Sequence, residues 1–72
     1  MTKEEQLILS KAYTAKDHPI EEFRCVEITS DSSHYHAANN LVAKGYLTTL
    51  FTENFFIITD NGIKCWGTQS LS

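Results

Sequence analysis

Between Cys25 and Ile63 the chain carries a single cation, Lys44, against Glu27, Asp31, Glu53 and Asp60. Over the whole sequence 6 Lys and Arg stand against 9 Asp and Glu, a formal charge of −3. That is the wrong sign for a chain whose main partner is a polyanion. The 2 cysteines, Cys25 and Cys65, make neither a CxxC pair nor a disulfide framework, so free thiols are expected. A zinc site needs about four ligands in tetrahedral array. His34 and His36 are two apart and diverge on a helix, so neither metal nor cofactor is expected. No apolar run approaches the roughly 18 residues of a membrane span. The polar, acidic N-terminus shows no signal-peptide pattern, which predicts a cytoplasmic location and no membrane partner. GxSxG, HExxH and glycine-rich phosphate loops are all missing. Glu21 and Glu22 are adjacent and diverge around a helix, so they do not form a paired-carboxylate site. The chain is not expected to be an enzyme.

What is present is enough for one small domain spanning residues 1–72. Hydrophobic residues make up 42% of the chain and charged residues 21%, a balance that folds rather than stays disordered. At this length the core is small, with only about 60% of the unfolded surface buried on folding. No repeat, linker or low-complexity segment divides the chain.

Thr2-Lys3-Glu4-Glu5 fits a capping box, with Thr2 as N-cap and Glu5 reaching back. A helix should follow to about Ala15, with Leu7, Ile8, Leu9, Ala12 and Tyr13 as its apolar stripe. Asp17-His18-Pro19 breaks it, and proline suits a first helical turn, which predicts a second helix over 19–27 with Ile20, Phe23 and Val26 inward. Ile28 should be buried in the turn beyond. The polar cluster 29–33 predicts the start of a third helix over 32–44, burying Ala37, Ala38, Leu41 and Val42. Gly45 is the natural left-handed residue beyond its end.

Two β-rich runs follow, 46–51 and 55–59, separated by Thr52-Glu53-Asn54. Alternation puts Leu47 and Thr49 on one face and Phe56 and Ile58 on the core side of the facing strand. Leu50, Phe51, Phe55 and Ile57 are then left partly outward. The tail has two readings. Thr59 can cap a short further helix carrying Ile63 and Trp66, or Asn61-Gly62 can turn the chain into a third strand over 63–66. The hairpin signal favours the strand.

Leu41-Val42-Ala43-Lys44-Gly45-Tyr46-Leu47 followed by Phe56-Ile57-Ile58-Thr59-Asp60-Asn61-Gly62 resembles the "L-x-x-K-G-[aromatic or L]-[L or I] … I/L-T-x-x-G" pattern of winged helix-turn-helix domains in compact bacterial and phage-type regulators. With the upstream helices the likeness covers about residues 3–66. It implies an α+β fold: a three-helix bundle with a C-terminal antiparallel β-hairpin or three-stranded wing. It also implies that the third helix enters the major groove of duplex DNA. Ser32, Ser33, Tyr35, His36, Asn39 and Asn40 would be its DNA-facing residues, with Lys44 on phosphate. Asn can pair with the N6/N7 edge of adenine, and Ser can reach bases or phosphate. The resemblance thus implies a small transcriptional regulator, acting as a dimer.

Each of these residues also has a plainer role. Asn39 and Asn40 suit any exposed helix face, and Lys44 suits the negative end of a helix dipole. His34 reads as half-buried with a hydrogen-bonded ring, and Tyr46 and Trp66 as core or rim packing. The turn over 28–31 lacks the usual glycine, and Thr52-Glu53-Asn54 offers no Arg or Lys to a minor groove. With so few cations, phosphate neutralisation is weak. The alternative is a protein-interaction module on the same scaffold, with Leu50, Phe51, Phe55 and Ile57 as the interface for a partner protein or a second copy. A contiguous apolar patch on a small domain calls for such an explanation.

Overall fold

Thr2 starts the first helix as its spacing to Glu5 predicts. The Thr2 hydroxyl accepts from the Glu5 N–H at 3.2 Å, and the Glu5 carboxylate accepts from the Thr2 N–H at 3.1 Å. The helix, α1, runs Lys3–Ala15. Ile8, Leu9 and Ala12 are buried, whereas Leu7 at the margin of the stripe stays exposed. The computed structural model describes residues 1–50 and 52–71.

The helix predicted over 19–27 does not form. A short 3-10 turn, Glu21–Phe23, and a strand, β1 (Val26–Glu27), stand in its place. Local hydrogen bonds fix the bend: the Ile20 N–H donates to His18 Nδ1 at 3.0 Å, and Arg24 Nε to the His18 carbonyl at 2.8 Å. The stronger cause is period. Val26 packs on the core, Glu27 is exposed and Ile28 is buried, an alternation that only extended backbone satisfies. Ile20 and Phe23, expected inward, are 50% and 57% exposed.

The predicted third helix is the second to form, α2, over Tyr35–Ala43. Residues 32–34 belong to the turn before it. The Ser32 hydroxyl accepts from the His34 N–H at 3.2 Å, and His34 occupies the cap without a side-chain bond. Ala37, Ala38 and Leu41 are buried as expected, and Val42 packs partly against the core. Gly45 ends the helix with φ +83°, and two bonds complete a Schellman closure: Gly45 N–H to the Val42 carbonyl at 3.0 Å and Tyr46 N–H to the Leu41 carbonyl at 2.9 Å.

Two strands follow, β2 (Leu47–Leu50) and β3 (Thr52–Ile58). Leu47 pairs with Ile58, Thr48 with Ile57 and Thr49 with Phe56. Leu47, Phe56 and Ile58 are buried, as alternation predicts, while Thr49 remains exposed. Thr52, Glu53 and Asn54 were expected in a loop but belong to β3. The register slips after Thr49, so that Leu50 pairs with Thr52. The skipped segment turns to β1 instead: Glu27 pairs with Phe55, Val26 with Phe56, and the Ile28 N–H reaches the Asn54 carbonyl at 2.8 Å. The sheet is antiparallel in the order β1-β3-β2.

The third strand is therefore β1, not residues 63–66, which lie in a C-terminal helix, α3 (Asp60–Leu71). Thr59 caps it. Its hydroxyl accepts from the Gly62 N–H at 3.1 Å and donates to the Gly45 carbonyl. The Thr59 N–H donates to the Tyr46 carbonyl at 3.0 Å. Asn61-Gly62 looks like a hairpin turn in sequence, but the glycine serves a close approach. A Cβ there would overlap the Tyr46 carbonyl oxygen and crowd Ile58 Cγ1.

The architecture is thus α+β, three helices with a three-stranded antiparallel sheet, compatible with a winged-helix layout. The core joins α1, α2 and one sheet face through Ile8, Leu9, Leu41, Leu47 and Phe56. Among the described residues no helix is long and apolar enough to cross a membrane.

Gly62→Ala should destabilise the fold by about 1–3 kcal/mol or more, as overpacking does. Gly67→Ala, inside α3 with open space around the added carbon, should stabilise it by up to about 1 kcal/mol through helix propensity. Urea unfolding midpoints of the two variants check both signs.

Candidate functional site

The outer face of α2 is a narrow polar stripe. His36, Asn39 and Ala43 are exposed and Asn40 is half-buried, positions that share one side of a helix. Ser33 is exposed and Ser32 half-buried, both on the turn before the helix. Tyr35 does not belong to this face. Its ring packs partly into the core and meets Phe56 edge-on at 6.2 Å between centroids. A shallow cavity of about 230 Å³ lies beside the stripe, lined by Thr2, Glu4, Ser33, His36 and Asn40 among others. Among the described residues no Lys or Arg lines it, and α1 contributes Glu4 to it.

Lys44 is the cation closest to this face in sequence, and it is engaged. Its Nζ lies 2.9 Å from Glu5 Oε2. Glu5 is buried, and its other carboxylate oxygen holds the Thr2 N–H. The Lys44 hydrogen bond, then the Thr2 backbone bond, holds the Glu5 carboxyl below its ordinary 4.5. A buried carboxylate left alone is costly, so the lysine is retained where it neutralises Glu5. Nothing in the local sequence shows this, because Glu5 already has a complete role in the capping box.

A second surface lies on the sheet face away from the core. Phe55 and Ile57 are half-buried there, with Glu27 and Thr48 exposed beside them through the pairings Glu27–Phe55 and Thr48–Ile57. Phe51 and the side chain of Leu50, also expected at an interface, lie outside the described residues. Phe55 forms one wall of a groove of about 510 Å³, completed by Glu22, Phe23, Cys25 and Glu27. Sequence reasoning missed Phe23, Glu22 and Glu27 here because it wound 19–27 into a helix. The signal that could have found them is the in-out-in order of Val26, Glu27 and Ile28.

A third concavity, about 210 Å³, runs between α1 and β1 and is lined by Leu7, Lys11, Val26, Ile28 and His34 among others. His34 is half-buried as expected, but its Nδ1 is buried and has no hydrogen-bond partner among the described residues. Tyr46 and Trp66 pack against the core. A hydrogen bond with the Cys65 thiol pushes the Tyr46 phenol up. Cys25 and Cys65 are not joined in a disulfide. Among the described residues no cluster of His, Cys, Asp and Glu could hold a metal.

Compared with known proteins, the chain matches no family model, no curated protein and no solved structure.

Because the folded pKa of Glu5 lies below its unfolded value, its contribution to stability is present above the ordinary carboxylate range. It is lost as pH falls through the lowered folded value. Thermal melts across an acid series should therefore show wild type losing Tm below about pH 4.5 more steeply than Glu5→Gln. At neutral pH the variant should have the lower Tm. Parallel curves for the two proteins would remove Glu5 from this role.

Proposed function

We propose that this chain is a protein-interaction module on a winged-helix scaffold, and that its working surface is the aromatic, acid-rimmed groove of Phe23 and Phe55. The scaffold reading rests on the order α1-β1-α2-β2-β3, with α2 feeding a hairpin through Gly45. The observation that carries the choice of partner is the placement of charge and apolar surface. Lys44 is bound to a buried carboxylate, whereas Phe23 stands 57% exposed between Glu22 and Glu27. Leaving a large apolar side chain in water forfeits roughly 1.5–3 kcal/mol of burial, and aromatic residues in such positions commonly anchor interfaces.

A second reading is favoured by the open stripe of His36, Asn39 and Asn40. It is a small DNA-binding transcriptional regulator acting as a dimer, with the asparagines on adenine edges and Ser32 and Ser33 on phosphate. Its weakness is electrostatic, since phosphate contacts supply most of non-specific affinity.

Two measurements separate the readings. Partners retained by the immobilised chain are identified, purified and titrated by calorimetry against wild type, Phe23→Ser and Phe55→Ser. Each variant should weaken binding by about ten-fold or more, the effect expected of a buried aromatic anchor. Fluorescence anisotropy with random duplex DNA should show no binding even at about 20 mM salt, where counterion release is strongest. Duplex binding there, unchanged in the two serine variants, would overturn the module in favour of the regulator.

A further inference from the structure

β1 is an edge strand. Its partner β3 lies on one side only, and among the described residues the sheet ends there. The Ile28 N–H bonds to the Asn54 carbonyl, and antiparallel pairing alternates. Val26 and Ile28 therefore face β3 with their backbone groups, and Glu27 turns its N–H and C=O away from the sheet. The two concavities flank this same residue. Glu27 lines both the groove of Phe23 and Phe55 on the outer face and the groove of Leu7, Lys11 and His34 on the α1 side.

We infer that the edge of β1 takes an extended segment of a partner protein by strand addition, a segment whose side chains alternate between basic and apolar. This rests on the protein-interaction reading above and names its ligand. Backbone bonds to Glu27 supply the register, and the period of two sends successive side chains into opposite grooves. On the outer face the charged groups lining the groove are Glu22 and Glu27, beside two phenyl rings. That combination fits an Arg or Lys, held by carboxylates and by the ring faces. On the α1 side the lining is largely apolar, with Leu7, Ile8, Val26 and Ile28, and the charge of Glu27 is offset there by Lys11. That combination fits an aliphatic side chain and offers a second cation no net attraction. A second copy of this chain is the poorer occupant. Antiparallel pairing of two β1 edges about their outward groups sets Glu27 against Glu27, and like charges directly opposed destabilise a ladder.

The probe is a blocked six-residue peptide of alternating valine and arginine. Its control is the isomer with the three valines and three arginines in separate blocks. The alternating peptide should bind at least about ten-fold tighter, or roughly 1.4 kcal/mol, and should slow hydrogen exchange at the Glu27 amide. Glu22→Lys should lower its affinity several-fold. Glu27→Pro deletes the outward N–H while leaving the β3-facing groups of Val26 and Ile28, and should abolish the preference for the alternating order. Amide spectra of both variants establish that they are folded before titration. Equal affinity for the two peptides would reduce the effect to net charge and overturn strand addition, as would exchange protection confined to α2. Failure of the peptide while Phe23→Ser still weakens a captured partner would overturn this inference alone. Loss of both results would remove the interaction module as well.

Discussion

Everything from the end of α2 to the C-terminus hangs on the hydroxyl of Thr59. It donates to the carbonyl of Gly45 and accepts from the amide of Gly62, while the Thr59 N–H holds the carbonyl of Tyr46. One residue thus ties the close of α2, the start of β2, the end of β3 and the first turn of α3. The two glycines are what make this approach geometrically available. Gly45 takes a left-handed backbone that other residues avoid, and Gly62 leaves room for a carbonyl where a side chain would stand. The K-G-Y-L and T-D-N-G segments, separate in sequence, are two halves of one junction.

A second tie sets the electrostatic character of the molecule. Glu5 completes the cap of α1 and also receives Lys44 from the end of α2. The pair locks two helices at the cost of the cation nearest the α2 stripe. Glu22 and Glu27 stand in the groove on the exposed side of the sheet, next to the rings of Phe23 and Phe55. The polar helix face is consequently poor in positive charge, and the sheet face is rich in both apolar area and negative charge.

Features set by neighbours along the chain were legible in the sequence. Thr2 and Glu5 announced the start of α1, Gly45 announced the end of α2, and the alternation through Leu47, Phe56 and Ile58 announced the core face of the hairpin but not its register, which slips after Thr49. Features set by partners far along the chain were not. Residues 19–27 carry every local mark of a helix start, yet Val26 and Ile28 are drawn into extended backbone by Phe56 and Asn54 across the fold. Asn61-Gly62 carries the mark of a tight turn, yet the glycine answers to the Tyr46 carbonyl. The burial of Glu5 was invisible for the same reason, since its partner sits at the far end of another helix. On the sites, Phe55 and Ile57 were placed outward correctly, and His36 and Asn39 are exposed. Tyr35 was misplaced, because at the first turn of a shorter helix its ring reaches Phe56.

The pairing of β1 with β3 spans the whole of α2 and β2, and closing a long loop is costly before any contact repays it. A strand of two residues recovers little of that cost through its own hydrogen bonds, so β1 depends on the packing of Val26 and Ile28 against the core to stay in the sheet. The outermost strand therefore carries the least secured hydrogen bonds of the sheet.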